Sequence, residues 1–443
     1  MSATTEPGLP EKDHSQRFGS SFMTGVSLAV NAIEDLYLLV EGPDCVHMKT
    51  QYVQGNHDWL STLTSVSGYH RIANTALHPV QMSASREESL VDALRRIAMN
   101  PAVPGAAVTS MPMAFITGAD YGRLARSVSV ETGKPVYHVP GRALSGDWVD
   151  GYGEVLKALA TELEPPATPP PAHHVAIVGN MFDRNEEDHA GNVRELRRLL
   201  RALGLEPVSI WFDGGRLEQV RAIRDAAAII SLPYGRRAAR RAAKRLGARL
   251  VETVLPFGLP ATETWIRQLG EAFDRRELAE RVIEQELRHV VPRLEWVVPF
   301  LFQNRRIGYI GDPQMLPGFV EFIRVLGADV PFAIVTNPPA QTKAALGDAD
   351  LGTELLVHPK MKTFLSFLLP RLKDDQTHLL VTNNFGIMRH DVALLEFGFP
   401  SFVRHALYDR PFLGFSGALA FADSMANAMR LHEVRLAQSA THE

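Results

Sequence analysis

Cys45 is the only cysteine in the 443-residue chain, and it stands in Glu41-Gly42-Pro43-Asp44-Cys45-Val46-His47, directly after the apolar run Leu36 to Val40. Glycine and proline at the end of a strand force a tight loop, which predicts the thiol at a loop tip and not in a strand interior. A metal-cluster ligand would sit in such a place. The competing reading is a small buried hydrophobe, the common state of a free cysteine. His47 could ligate the same group or donate a hydrogen bond to it, or it could be a loop histidine in water. His70 and Asn74 have i,i+4 spacing and could line the site from a helix, or belong to a surface helix. His173-His174 resembles a metal pair, but it opens a strand beside a proline-rich stretch with no further ligand type close in sequence, so it reads as structural.

Arg236 to Arg245 form a basic run after Gly235. It could attract an anionic substrate or an acidic partner. Alanine and arginine are strong helix formers, so a solvated helix with one basic face explains it equally. The chain contains no Gly-x-x-x-x-Gly-Lys-Ser/Thr loop, which argues against its own P-loop nucleotide hydrolysis. No Gly-x-Gly-x-x-Gly follows a strand, which argues against a nicotinamide dehydrogenase.

Composition narrows the class further. Hydrophobic residues make up 45% and charged residues 22%, ordinary values for a globular protein. A net charge of −4 gives no reason to expect nucleic acid or an anionic membrane as partner. One cysteine excludes an internal disulfide, and Met1 to Ser20 lack the apolar core of a signal peptide. With no apolar run long enough to span a bilayer, the expected location is the cytoplasm.

The elements that must position these residues follow from periodicity. Pro165-Pro166-Ala167-Thr168-Pro169-Pro170-Pro171 suits a stiff linker. The expected domains are 1–165, 173–300 and 301–443. His174 to Gly179 reads as a buried parallel strand, Asn192 to Leu203 as an amphipathic helix, and Val208 to Phe212 as the next strand. Ala226 to Leu232, Arg236 to Leu246 and Arg249 to Leu255 continue the strand-helix-strand pattern. A helical stretch is expected over Ala261 to Phe302. Arg306 to Asp312, Phe319 to Leu326, Val330 to Val335 and Leu379 to Asn383 repeat the pattern. Alternation of this kind predicts an α/β fold of doubly wound, Rossmann-like domains with parallel sheets around a central cleft. Ligands in such folds meet the loops at the carboxyl ends of strands, which places Asn180, Asp312 and Asn383 to Phe385, Asn384 among them, toward the cleft.

From about Phe18 to Asn427 the order of motifs resembles the nitrogenase component 1 type oxidoreductases, which include nitrogenase catalytic subunits, cofactor-assembly scaffolds and dark-operative protochlorophyllide and chlorophyllide reductases. Gly25 to Val40 followed by Gly42-Pro43-Asp44-Cys45 is similar to the family's small-residue helix, strand and cluster loop. Pro112-x-x-x-Ile116-x-Gly118-x-Asp120, Gly133-Lys134-Pro135-Val136 and Gly146 to Leu159 follow in family order. Phe397-Gly398-Phe399-Pro400 and Arg410 to Ala418 look like its closing motif.

The resemblance implies an iron–sulfur cluster, a 4Fe–4S cubane in the family, with Cys45 as a ligand. Full cluster-binding subunits use three cysteines in this domain. Here the second position falls near Tyr69 or His70 and the third at Met111. One cysteine cannot hold a cubane, so the cluster is expected to be shared with a homologous subunit in a heterodimer or heterotetramer. A homodimer with two copies of Cys45, completed by His47 or Asp44, is the alternative. The family's cofactor thiolate and imidazole would fall near Pro233 and Leu413, so nitrogen reduction at such a cofactor is not expected. An ATP-dependent iron protein is the implied electron donor. Arg404, His405 and Arg410 fall where the family places substrate-facing groups, and His405 is the expected general acid. The implied activity is reduction of a small organic substrate, a carboxylated tetrapyrrole being one candidate. The alternative is a non-catalytic scaffold for assembly of a metal cofactor.

Overall fold

A computed structural model describes residues 14–440 apart from 55–57, 65–69, 84, 143–144, 182–185, 374–376 and 388–391. Tyr69, one expected position of a second cluster ligand, lies outside the described residues.

Three all-parallel sheets carry the fold. The first joins β1 (Leu36–Glu41), β2 (Ile72–Asn74), β3 (Gly105–Ser110) and β4 (Val136–His138) in the order β2-β1-β3-β4. The second joins β5 (His174–Val178), β6 (Glu206–Ile210), β7 (Ala228–Ser231) and β8 (Arg249–Glu252) in the order β6-β5-β7-β8. The third joins β9 (Ile307–Gly311), β10 (Phe332–Val335), β11 (Glu354–Val357), β12 (Leu379–Thr382) and β13 (Ala393–Glu396) in the order β11-β10-β9-β12-β13. Each order reverses direction beside its first strand, which opens a crevice between β1 and β3, β5 and β7, and β9 and β12. Helices on both faces leave the central strands without a polar side. Val175, Ala176, Ile177 and Val178 are fully buried, as an unbroken apolar strand requires.

Residues 162–173 carry neither helix nor strand, as the proline spacing predicts. The helix Arg236–Leu246 has the expected bounds, with Ala238, Ala239, Ala242, Ala243 and Leu246 on its buried face. Other expectations need correction. Cys45 is the first residue of the helix Cys45–Tyr52, so only residues 42–44 form the loop. His70 and Asn74 flank and end the strand β2, so their helical spacing has no structural meaning. The stretch 261–302 is three helices, Leu259–Ala272, Arg276–Leu294 and Val298–Leu301, and the first break holds Asp274 at φ 56. β6 starts earlier than expected and stops before Phe212, whose φ of 64 is incompatible with a strand.

Glycines set two close approaches. In the first, the helices Phe22–Asn31 and Trp148–Thr161 touch backbone to backbone: a Cβ on Gly25 would lie 1.7 Å from Trp148 O, and one on Gly151 would lie 2.0 Å from Phe22 O. In the second, the loops after β5 and β7 cross at Gly179 and Gly235. A Cβ on Gly235 would fall 2.5 Å from Gly179 Cα, and Gly179 itself has a φ of +105. The clash is with backbone, so no rotamer relieves it. Gly235→Ala should therefore cost roughly 2–3 kcal/mol of stability through overpacking. Thermal unfolding of the variant checks this, and an unchanged midpoint would show that the two loops can separate freely.

Phe18 and the helix Gly414–Ala440 make contacts between the units. Phe18 packs on Phe364 and Phe385 of the third sheet's surroundings, with ring centroids 4.3 and 5.3 Å away. The last helix, Gly414–Ala440, lies against β13 and also against the helices Glu186–Ala202 and Leu259–Ala272. Among the described residues, no helix is long and apolar enough to cross a membrane.

Candidate functional site

At the carboxyl end of the first sheet, Cys45 is exposed. Gly42 is there because Met111, at the end of β3, packs onto it: a Cβ at Gly42 would come within 2.4 Å of Met111 Cγ. Met111 N–H also donates to Glu41 O at 2.8 Å. The expected first and third ligand positions thus lie on neighbouring loops at one crevice. Asp44 is exposed too, and its side chain makes no capping hydrogen bond. His47 sits two residues beyond Cys45 in the same helix, a spacing that sends the two side chains to different sides. The imidazole instead meets His70, with ring centroids 5.6 Å apart. Among the described residues no group of three or more His, Cys, Asp or Glu is arranged to hold a metal ion. One exposed thiol with no converging donors does not fit a whole cluster. It fits one ligand of a cluster completed from outside.

Beneath this loop lies Glu41, its carboxylate fully buried. Tyr121 Oη donates to Oε2 and the Arg86 guanidinium lies 3.7 Å from Oε1. Burial raises the Glu41 pKa, while the Tyr121 hydrogen bond and the Arg86 charge oppose that. Sequence reading gave Glu41 no role, because a carboxylate ending a strand normally faces solvent.

The second feature is a cavity of about 530 Å³ where all three sheets converge. Arg142 and Ser145 line it from the first sheet's domain, Tyr234, Arg236 and Arg237 from the second, and Gln314 and Gln341 from the third. Two buried carboxylates lie behind the wall, each held by a residue that lines the cavity. Asp147 accepts from Asn337 Nδ2 and Gln341 Nε2, both at 2.7 Å. Asp312, 2% exposed, accepts from Tyr234 Oη at 3.0 and 3.1 Å and from Gln314 N–H at 2.8 Å. The arginines are paired: Arg142 with Asp150 at 3.4 Å and Glu154 at 2.9 Å, Arg237 with Glu154 at 3.2 Å, and Arg236 with the carbonyls of Ser231 and Thr253. Only the first two arginines of the basic run reach the cavity. Arg240, by contrast, faces solvent and pairs with Glu252.

The other expected cleft residues are distributed around these two features. Asn180 is buried at the end of β5, where its Nδ2 donates to Phe212 O at 3.2 Å and its carbonyl accepts from Tyr152 Oη at 3.0 Å. Asn384 donates to Tyr52 Oη at 2.9 Å and so ties the third sheet to the helix that Cys45 begins. Arg404, His405 and Arg410 line a separate cavity of about 50 Å³. The His405 ring stacks on Trp59 at 3.6 Å, and Arg410 is held by Asp423, Ser424 and the carbonyl of Ala420. Besides its arginines, the large cavity has the Asp150 carboxylate and Tyr234 on its wall, with Asp147 and Asp312 behind them. Of these only Asp312 stood out in the sequence, through its place at a strand end.

Three parallel sheets in this order, with a lone cysteine at the first crevice, agree with a comparison of the whole chain. The family model described as "Nitrogenase component 1 type Oxidoreductase" matches residues 21–430. The chain belongs to this family. Among individual relatives, a nitrogenase molybdenum-iron protein beta chain from Clostridium pasteurianum is 28% identical over 39% of this chain and 38% of its own length. That from Bradyrhizobium diazoefficiens is 24% identical over 71% of this chain and 66% of its own, and that from Methanococcus maripaludis 20% identical over 81% and 83%. The chain thus spans less than two thirds of the first two relatives. The solved structure titled "Nitrogenase Cp1 at pH 6.5" superposes with a TM-score of 0.77 at 17% identity, covering 98% of this chain and 96% of that one. At that identity it establishes the component 1 fold. The Rossmann-like reading of the sequence is therefore right for all three sheets.

In this component 1 chain, burial pushes the Asp312 carboxyl up from 3.8 to about 6, against the hydrogen bonds of Gln314 and Tyr234. Burial does the same to Asp147, also to about 6. Folding raises both values, so the native state holds these protons more tightly than the unfolded chain. The resulting stabilisation is complete below about pH 3.8 and is lost as pH rises through about 6. Asn mimics the protonated form. Asp312→Asn should match the parent at pH 4 and exceed its unfolding free energy at pH 7 by as much as roughly 3 kcal/mol. Denaturant unfolding at the two pH values measures the difference, and equal gaps at both would contradict an elevated native pKa.

Proposed function

We propose that the chain is a subunit of a nitrogenase-like iron–sulfur oxidoreductase, in which Cys45 supplies one ligand to a cluster shared with a homologous partner chain. The observation that carries this reading is the solitary exposed thiol at the first sheet's crevice. A thiolate ligand left at the surface needs other ligands brought to it, since each iron of a cubane takes one external ligand. The surrounding surface suits a partner. Met48, Val80 and Ile116, on the segments that leave β1, β2 and β3, are 73%, 88% and 73% exposed, and Phe115 joins them. Apolar side chains gathered on one face favour burial against another chain. Relatives named as beta chains of a larger protein support a role as a subunit. Once bound, the cluster supplies one-electron transfer. This chain's contribution is the thiolate, with Gly42 and Met111 fixing where it points.

Electrons on this reading come from an ATP-dependent iron protein, and a small organic substrate is reduced in the cavity between the three sheets. The lining of that cavity favours the enzyme over the scaffold. It includes arginine, tyrosine, serine, glutamine and the Asp150 carboxylate, but no cysteine or histidine among its described residues. Soft metal cofactors are held by thiolate and imidazole, whereas this donor set suits an organic molecule with polar or anionic groups. His405, beside Trp59 and outside this cavity, remains a proposed acid for a substrate that extends toward the smaller one.

Anaerobic purification together with a homologous component 1 subunit, followed by iron analysis, tests the shared cluster. Stoichiometric iron is expected in the complex, and a loss of most of it in Cys45→Ala with the complex still assembled. Iron retained at the parent level without the thiol would rule out the ligand role.

A further inference from the structure

We propose that Tyr234 and Asp312 form a proton-donating pair for the three-sheet cavity, in which Asp312 stores the proton and Tyr234 presents it to an acceptor atom of a bound ligand. This deepens the proposed function and rests on it, because a reduction that adds electrons to an organic molecule also needs protons.

The geometry fixes the direction of transfer. Tyr234 lines the cavity, and Asp312 lies behind it with no surface of its own to speak of. Gln314 N–H donates to Asp312 Oδ1 at 2.8 Å, and Oδ2 lies 3.1 Å from Tyr234 Oη. When Asp312 is ionised, Tyr234 donates inward to it. When Asp312 is protonated on Oδ2, that O–H donates to Tyr234 Oη, and the phenolic hydrogen turns outward to the cavity. Transfer then breaks the Tyr234 O–H bond and forms a bond from hydrogen to the acceptor atom. The Asp312 O–H breaks as the phenol re-forms, which leaves a carboxylate. One proton moves and no electron does; electrons for a reduction come separately from the iron–sulfur donor. The Gly179–Gly235 contact holds Tyr234 in place, since Gly235 follows it directly.

The neighbouring charges preserve this arrangement. Burial is the main reason Asp312 holds its proton, and Asp147, whose own carboxyl is also raised to about 6, adds to it when ionised. Tyr309 Oη donates to the main-chain oxygen of Asp312 at 2.9 Å and leaves the carboxyl untouched. Arg142, Arg236 and Arg237 line the same cavity but are paired with Asp150, Glu154 and two backbone carbonyls, as above. Burial keeps the proton on Asp312 up to about pH 6, close enough to neutrality for a donor that must also be recharged.

The test needs neither iron nor substrate. Infrared spectra of the full chain carrying ring-labelled tyrosine are recorded from pH 4.5 to 7.5. The C=O stretch of protonated Asp312, assigned by its absence in Asp312→Asn, should vanish with a midpoint near 6. The Tyr234 C–O stretch, assigned by its absence in Tyr234→Phe, should shift with the same midpoint and stay fixed in Asp312→Asn. Tyr234→Phe should raise the Asp312 midpoint by about one pH unit, because the carboxylate loses a donor. A Tyr234 band that ignores Asp312 titration, or that still shifts in Asp312→Asn, overturns the pair, as does an Asp312 that stays ionised throughout. If Tyr234→Phe does not fold, the labelled-tyrosine C–O band that shifts in the parent with the Asp312 midpoint decides: it should be fixed in Asp312→Asn, and its absence from the parent overturns the pair. Failure here leaves the iron result for Cys45 intact, and failure of that result leaves this one readable.

Discussion

Asp147 caps the helix Trp148–Thr161 by accepting from Asp150 N–H at 3.1 Å, and the same carboxylate accepts from Asn337 and Gln341 beyond the third sheet. The helix it starts contacts all three units. Gly151 admits the backbone of the helix Phe22–Asn31, Tyr152 reaches the carbonyl of Asn180 in the second unit, and Glu154 pairs with Arg237. One buried carboxylate thus sets the position of the element that all three sheets share. Its removal from water is costly, and the charge-free form would suit the site better. Three donors from different parts of the chain offset that cost only when the sheets are correctly placed. The interaction therefore selects the arrangement more than it stabilises any single part.

Given that placement, the carboxyl ends of the parallel strands face common ground. Each sheet opens a crevice beside its first strand, and the chemistry-bearing residues sit there: Cys45 and Met111 in the first, Asn180 and Tyr234 in the second, Asp312 and Asn383 in the third. The two functional regions differ because the crevices face different surroundings. The second and third converge with part of the first on a cavity, and burial behind its wall raises the carboxyl pKa values of Asp147 and Asp312. The first presents its loop outward among exposed apolar side chains, with Cys45 exposed at its end.

The sequence made much of this visible, and its limits have physical causes. Unbroken apolar strands such as β5 and β9 announce burial on both faces, and the helix Arg236–Leu246 announces itself by alanine and arginine at helical spacing. An edge strand such as β11 is too exposed to carry an unbroken apolar run and drew no assignment, and the break at Asp274 depends on a left-handed residue that no pattern marks. The misassigned helix at His70 has the same origin: i,i+4 spacing is compatible with any conformation until packing chooses one. Strand-end positions identified Asp312 and Asn180, since topology fixes them. Tyr234 and Asp147 stayed hidden because their roles depend on contacts 78 and 190 residues away in sequence.

On the proposed reading, the pair gives up stability at neutral pH for a proton that can be donated. An aspartate replaced by asparagine would relieve desolvation at Asp312 without losing its acceptor for Tyr234, and the fold has no evident use for the ionised form. An acid in that place has a proton to give, as the proposed pair requires. The position of the acid is also telling. It lies one side chain behind the cavity wall, so bulk solvent cannot equilibrate with it directly, and Tyr234 is the group between the stored proton and whatever occupies the space beyond.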